Sequence, residues 1–170
     1  MSWLRVTASV AAVLLVLGAG ACQVRPLYST SAVGSAPQYD LPAISIEEPD
    51  NRIEQVYRNA LLFGLRGGGE GAAARYRLTY RLNVTEQEIA IERISGTPNA
   101  YQLTGNVSFL LEDLTTGERL AGENVTAVDS YNRSSQNFAN VRALRDAEDR
   151  LMKALAERTE ARLAAFFALN

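Results

Sequence analysis

From Arg75 to Val84 apolar and polar side chains alternate without a break. Tyr76, Leu78, Tyr80, Leu82 and Val84 point one way, and Arg75, Arg77, Thr79, Arg81 and Asn83 point the other. A period of two with one apolar face requires an antiparallel sheet that is covered on one side and open on the other. The same pattern returns from Tyr101 to Leu114, through Tyr101, Leu103, Val107, Phe109 and Leu111. Between the two runs, "TEQE" at 85–88 predicts a loose turn or a bulge, after which Ile89, Ile91 and Ile94 resume the apolar face. "SGTPN" at 95–99 predicts a turn. "DLTTGERL" predicts a hairpin in which Gly117 takes positive φ, with a returning strand from Arg119 to about Tyr131.

The flanks have a different period. "AISIEE" at 43–48 gives a short strand ended by Pro49. Asp50 or Asn51 then caps a helix carrying Ile53, Val56, Tyr57, Ala60, Leu61 and Leu65 at spacings of three and four. "RGGGEGAA" at 66–73 stops that helix. It is no phosphate-binding loop, since it lacks a GK[ST] ending and follows a helix. From about Phe138 to Ala168 a long amphipathic helix presents Val141, Leu144, Leu151, Leu155, Ala156, Leu163 and Phe166, with Ser134, Ser135 or Asn137 as its cap. The order strand, helix, three strands, helix predicts a two-layer α/β sandwich. Its sheet is four-stranded and mainly antiparallel, with two helices packed on one face.

The N-terminus limits where such a domain works. Arg5 precedes a ten-residue apolar run, Ala8 to Leu17, then small residues and the lone Cys22. That run is short for a membrane span and has the form of an export signal. Ala19-Gly20-Ala21-Cys22 fits a lipobox, in which the thiol is acylated and cleavage precedes Cys22. The other reading is a conventional exported chain with a cysteine near its cleavage site. A single cysteine has no disulfide partner within the chain, which favours lipidation. The expected division is a leader at 1–21, a lipidated tether at 22–42 and a folded domain at 43–170. Gln23 follows the cysteine where an aspartate would favour inner-membrane retention, so the periplasmic side of the outer membrane is expected.

Composition excludes several classes. The mature chain carries 16 Lys and Arg, Arg5 having left with the leader, against 19 Asp and Glu. A nucleic-acid partner is not expected from that balance. Histidine is absent, which removes Ser–His and Cys–His nucleophile pairs and most zinc sites. Asp146, Glu148 and Asp149 lie among Arg142, Arg145 and Arg150 and read as surface ion pairing. Neither an enzyme nor a cofactor is expected. The stripe Arg75, Arg77 and Arg81 suits phosphate or carboxylate groups, or else keeps an exposed strand soluble by pairing with acids. Tyr131, Asn132, Arg133, Ser134 and Ser135, within the polar run 130–137, form a second candidate contact.

The ordered set "CQVRPLY", "RIEQVYRNAL", "YRLTYRLNV", "YQLTGNVSFLLEDLTTGERL", "DSYNRSSQNFAN" and "RDAEDRLMKALAERTEARLAAF" resembles the LPS-assembly lipoprotein LptE family in its alphaproteobacterial form. The resemblance covers essentially all of the mature chain. Glu54-Gln55 and Cys22-Gln23-Val24 depart from the usual pattern and mark a divergent member. The resemblance implies a non-enzymatic factor that plugs the outer-membrane β-barrel LptD, promotes its folding and helps deliver lipopolysaccharide, a possible direct ligand. The alternative is a stand-alone periplasmic lipoprotein that binds a small amphiphile or peptidoglycan fragment in a pocket between helices and sheet.

Overall fold

Leu41–Ala43 makes one 3-10 turn that leads into β1 (Ile44–Ile46), and Leu41 is already buried in the core. The computed structural model describes residues 40–91 and 98–169. Expectations for the leader, for Cys22 and the tether before residue 40, for Ile94 and for residues 95–97 lie outside the described residues.

Helix α1 (Arg52–Arg66) follows β1. Of the two possible caps the chain uses Asn51, whose side chain accepts from the Glu54 N–H at 3.0 Å. The Glu54 carboxylate accepts from the Asp50 N–H at 2.9 Å and from the Asn51 side-chain amide at 2.8 Å, a variant of the capping box. At the other end Gly67 takes φ 59 and donates to the Phe63 carbonyl. This left-handed stop favours glycine. Asn51→Ala should therefore cost about 1 kcal/mol in urea unfolding, whereas Asp50→Ala should change stability by well under half of that.

Three long strands follow, β2 (Tyr76–Ile91), β3 (Pro98–Asp113) and β4 (Arg119–Asn132). The sheet order is β1-β2-β3-β4. The β2–β3 and β3–β4 pairs are antiparallel and β1–β2 is parallel, so the sheet is mixed. The parallel pair is a consequence of α1, which carries the chain back to the starting end between β1 and β2. The hairpin forms as expected: Gly117 has φ 71 and its N–H bonds the Asp113 carbonyl at 2.8 Å.

The turn or bulge predicted at 85–88 is not there. Glu86 pairs with Leu103 and Glu88 with Tyr101, and the irregularity comes afterwards, between Glu88 and Ile91. Ile89 is 52% exposed and does not rejoin the apolar face. Pro98 and Asn99, expected in a turn, belong to β3.

Helix α2 (Asn137–Leu169) runs along the same face as α1. Ala147, Leu151, Met152, Leu155, Ala156, Leu163 and Ala164 bury against Leu78, Leu103, Val107, Leu111 and Ala127 of the sheet and Tyr57 and Leu61 of α1. Val141, expected on that face, is exposed. Deep in this layer Tyr57 donates to Thr159 at 3.0 Å, and Thr159 donates to the Leu155 carbonyl. Among the described residues no helix is long and apolar enough to cross a membrane.

Candidate functional site

With both helices on one face, the other face of the sheet is left mostly to polar side chains, with Leu110 and Val128 among the apolar exceptions. The register sets them in rows: Arg81, Ser108 and Asn124; Asn83, Asn106 and Thr126; Thr85, Thr104 and Val128; Gln87, Gln102 and Ser130. The Thr126 hydroxyl donates to the Asn106 side chain at 2.7 Å, one of the few side-chain bonds across this surface. Most of these groups are therefore open to an external partner.

The arginine stripe is divided. Arg77 stands opposite Glu112, and Arg81 opposite Ser108; both are exposed on the open face. Arg75 sits at the margin, before β2 begins. Its guanidinium lies 3.6 Å from Asp40 and 4.0 Å from Asp113, and 5.1 Å from the centre of the Tyr76 ring. Backbone N–H groups of Thr115 and Thr116 hold the Asp113 carboxyl below its usual range, with Arg75 adding to the effect. Arg75 is thus engaged at the edge, and the open face carries two of the three predicted cations.

The second candidate segment is also divided. Tyr131, which pairs with the buried Tyr101, lies on the helix side of the sheet, and Arg133 folds back over it. The Tyr131 hydroxyl donates to Glu86, and Arg133 donates to Glu86 at 2.9 Å and to Tyr131 at 2.7 Å. The Tyr101 and Tyr131 rings stack at 5.5 Å, with the Arg133 guanidinium 4.0 Å over Tyr101. Burial, and then the hydrogen bond to Glu86, push the Tyr131 phenol up to about 12. Asn132, Ser134 and Ser135 remain exposed. Ser134 is tied to α2, because Asn140 accepts from its N–H at 2.7 Å and donates to its carbonyl at 2.8 Å. None of the expected caps takes the cap position: α2 begins at Asn137, its first backbone bond runs from the Asn140 N–H to the Gln136 carbonyl, and the Ser134 hydroxyl accepts from the Gln136 N–H just before it.

The acidic trio on α2 pairs as a surface network, reaching other elements as well as its own helix. Arg52 of α1 bonds Glu148 and Asp149 at 3.1 and 2.7 Å, while Arg150 joins Asp146 to Asp129 of β4. A feature the sequence did not announce is a cleft of about 780 Å³ at the β1–β2 margin. It is lined by Glu47, Glu48, Asp50, Glu54, Arg81 and Leu82 among others. It lies at the edge of the sheet beside the first turn of α1, outside the interlayer that Leu103, Val107, Leu151 and Leu155 fill.

The architecture is that of a group of bacterial lipoproteins. A Caulobacter crescentus lipoprotein superposes with TM-score 0.63 at 23% identity, covering 78% of this chain and 96% of its own. Rare lipoprotein B of Shewanella oneidensis gives 0.54 at 14% identity, over 72% and 92%. A minor lipoprotein of Acinetobacter baumannii gives 0.52 at 16%, over 72% and 88%. At these identities the likeness is one of fold. No curated protein matches the chain by sequence. The profile of the LptE family, lipopolysaccharide assembly, matches residues 41–163, and the chain belongs to that family. Its role is accordingly in lipopolysaccharide assembly.

Proposed function

We propose that this chain is an outer-membrane lipoprotein, anchored through an acylated Cys22, that seats inside an LptD-like β-barrel. There it assists folding of the barrel and takes part in moving lipopolysaccharide to the outer leaflet, without catalysing a reaction. The observation that carries this reading is the polar sheet face. It spans three long strands, is uncovered by either helix, and offers Thr, Ser, Asn and Gln side chains with Arg77 and Arg81. A barrel lumen is lined by polar side chains, so a plug needs an apolar core of its own and a hydrogen-bonding exterior. The filled interlayer weighs against a small amphiphile held between helices and sheet.

The test is recovery of the tagged, lipidated protein from outer membranes in mild detergent. An LptD-like barrel should co-purify at about one to one, and depletion of this protein should remove the barrel from the membrane. A chain that elutes alone, with lipopolysaccharide export intact on depletion, would contradict the proposal and leave the stand-alone lipoprotein as the account.

A further inference from the structure

The two edges of the sheet are finished differently. Along β4, arginines of α2 occupy outward carbonyls: Arg150 donates to the Ser130 carbonyl at 3.2 Å, and Arg158 donates to that of Thr126. Arg162 adds an ion pair to Glu123 at 3.5 Å. Two of that edge's outward carbonyls are thus taken up by the chain's own helix, one of the ways proteins keep a strand from recruiting another chain.

On β2 the cover stops early. β1 pairs with Tyr76–Leu78 only, and the last bond runs from the Glu47 N–H to the Leu78 carbonyl at 3.1 Å. Because Leu78 faces outward, alternation in the antiparallel β2–β3 pair turns the N–H and C=O of Tyr80, Leu82, Val84 and Glu86 outward as well. None of these backbone groups has a partner among the described residues. The stretch carries no proline and no lysine. The cleft at the β1–β2 margin lies alongside its first residues, Tyr80 to Leu82, so the space there is open.

We infer that this free edge, residues 80–88 of β2, receives an extended segment of the protein with which the chain assembles, added to the sheet as a further strand. The inference rests on the assembly role proposed above. Backbone pairing supplies the binding, and the flanking side chains set the partner's chemistry. On the helix side Leu82 and Val84 are half-buried, so the incoming residues that point there are apolar. On the open side Arg81, Asn83 and Thr85 call for polar ones. Where β1 ends, Glu47, Glu48, Asp50 and Glu54 line the cleft. Arg58 pairs Glu48 at 2.8 Å and Glu54 caps its own helix, so Glu47 and Asp50 give that end its negative character, and the end of the segment that reaches it is basic.

The same negative end disfavours a second copy of this chain. Antiparallel pairing of β2 with β2 would bring the other copy's Glu88 toward Glu47 and Asp50, placing like charges together.

The test uses the full mature chain, free and in the detergent-solubilised complex with the barrel, read by residue-resolved amide hydrogen exchange. The amides of Leu82, Val84 and Glu86 should exchange freely in the isolated chain and slow by about a hundredfold in the complex. Val84→Pro removes an outward N–H, a position an edge strand tolerates, and leaves an apolar ring of similar size at a half-buried position. It should keep the melting temperature near wild type and lower the recovered barrel by about tenfold or more. If Val84→Pro fails to fold, wild-type exchange alone decides. A barrel that co-purifies while these amides still exchange freely overturns the inference and leaves the assembly role standing. Protection already present in the isolated chain also overturns it: concentration-independent protection means the chain covers its own edge, and concentration-dependent protection means a second copy does. Absence of any barrel removes both readings.

Discussion

Leu155→Ala is expected to lower stability by about 2–5 kcal/mol in urea unfolding of the soluble Cys22→Ser form. Leu155 is 0% exposed and lies over Gly105, near the middle of β3. Gly105 stands in register between Val84 of β2 and Ala127 of β4. The small side chains at 105 and 127 let α2 approach the sheet closely enough for Leu151 and Leu155 to fill the gap. A Cβ added at Gly105 would fall 2.7 Å from Leu155 Cδ1 and 3.2 Å from Leu151 Cδ2. Gly105→Ala should therefore cost about 1–3 kcal/mol on its own, since both leucines are held on all sides. The two substitutions should be strongly non-additive. Truncating Leu155 makes the space that the new methyl needs, so the double variant should be more stable than the sum predicts by about 0.5–3 kcal/mol. Additivity within about 0.5 kcal/mol would mean that the helix moves off the sheet to accommodate the methyl, contrary to the tight contact described.

How far the sequence announces this fold depends on whether a residue's surroundings are local. The alternation in β2 and β3 is legible because one face is buried under helices, and burial of one face is what writes a period of two. The hairpin at Gly117 and the stop at Gly67 are legible because each needs positive φ. The predicted turn at 85–88 fails for a related reason. Glu86 and Glu88 break the apolar pattern on the helix side, and that break resembles the end of a strand. The strand in fact continues, and Glu86 is held there by Tyr131 and Arg133, 45 and 47 residues away in sequence. Arg75 is the same lesson at the other end of β2. Period two places it beside Arg77, but it lies outside the ladder and turns toward Asp40 and Asp113, which no short-range pattern connects. The outcome for the open face was better, because its polarity follows from the same alternation that defines the core. The free edge of β2 was not legible at all, since it depends on how early β1 ends and on which carbonyls the α2 arginines reach.

The largest functional effect is expected from the two cations left on the open face. Arg77 and Arg81 are four residues apart on one strand, about 13 Å along it, and face the same way. Reversing both charges would confuse the result, because Arg77 stands opposite Glu112 and a carboxylate there would meet a like charge directly across the strands. Arg77→Gln with Arg81→Glu avoids that, as Arg81 faces Ser108. Both positions are exposed, so stability should change by no more than about 0.5 kcal/mol. Recovery of the barrel with the tagged protein should nevertheless fall by about tenfold or more, a loss on the order of 1.4 kcal/mol, if these guanidinium groups meet carboxylates or phosphates in the assembly. Arg77→Lys with Arg81→Lys keeps the charge and loses the fork that binds such groups in two places, and should fall between that variant and wild type. The competing account, that the pair only keeps an exposed face soluble, predicts undiminished recovery from all three chains and greater self-association of the Gln/Glu variant. Unchanged recovery with no change in solubility would deny both roles and move the contact to the uncharged rows of Asn, Thr, Ser and Gln, where hydrogen bonding alone would hold the plug.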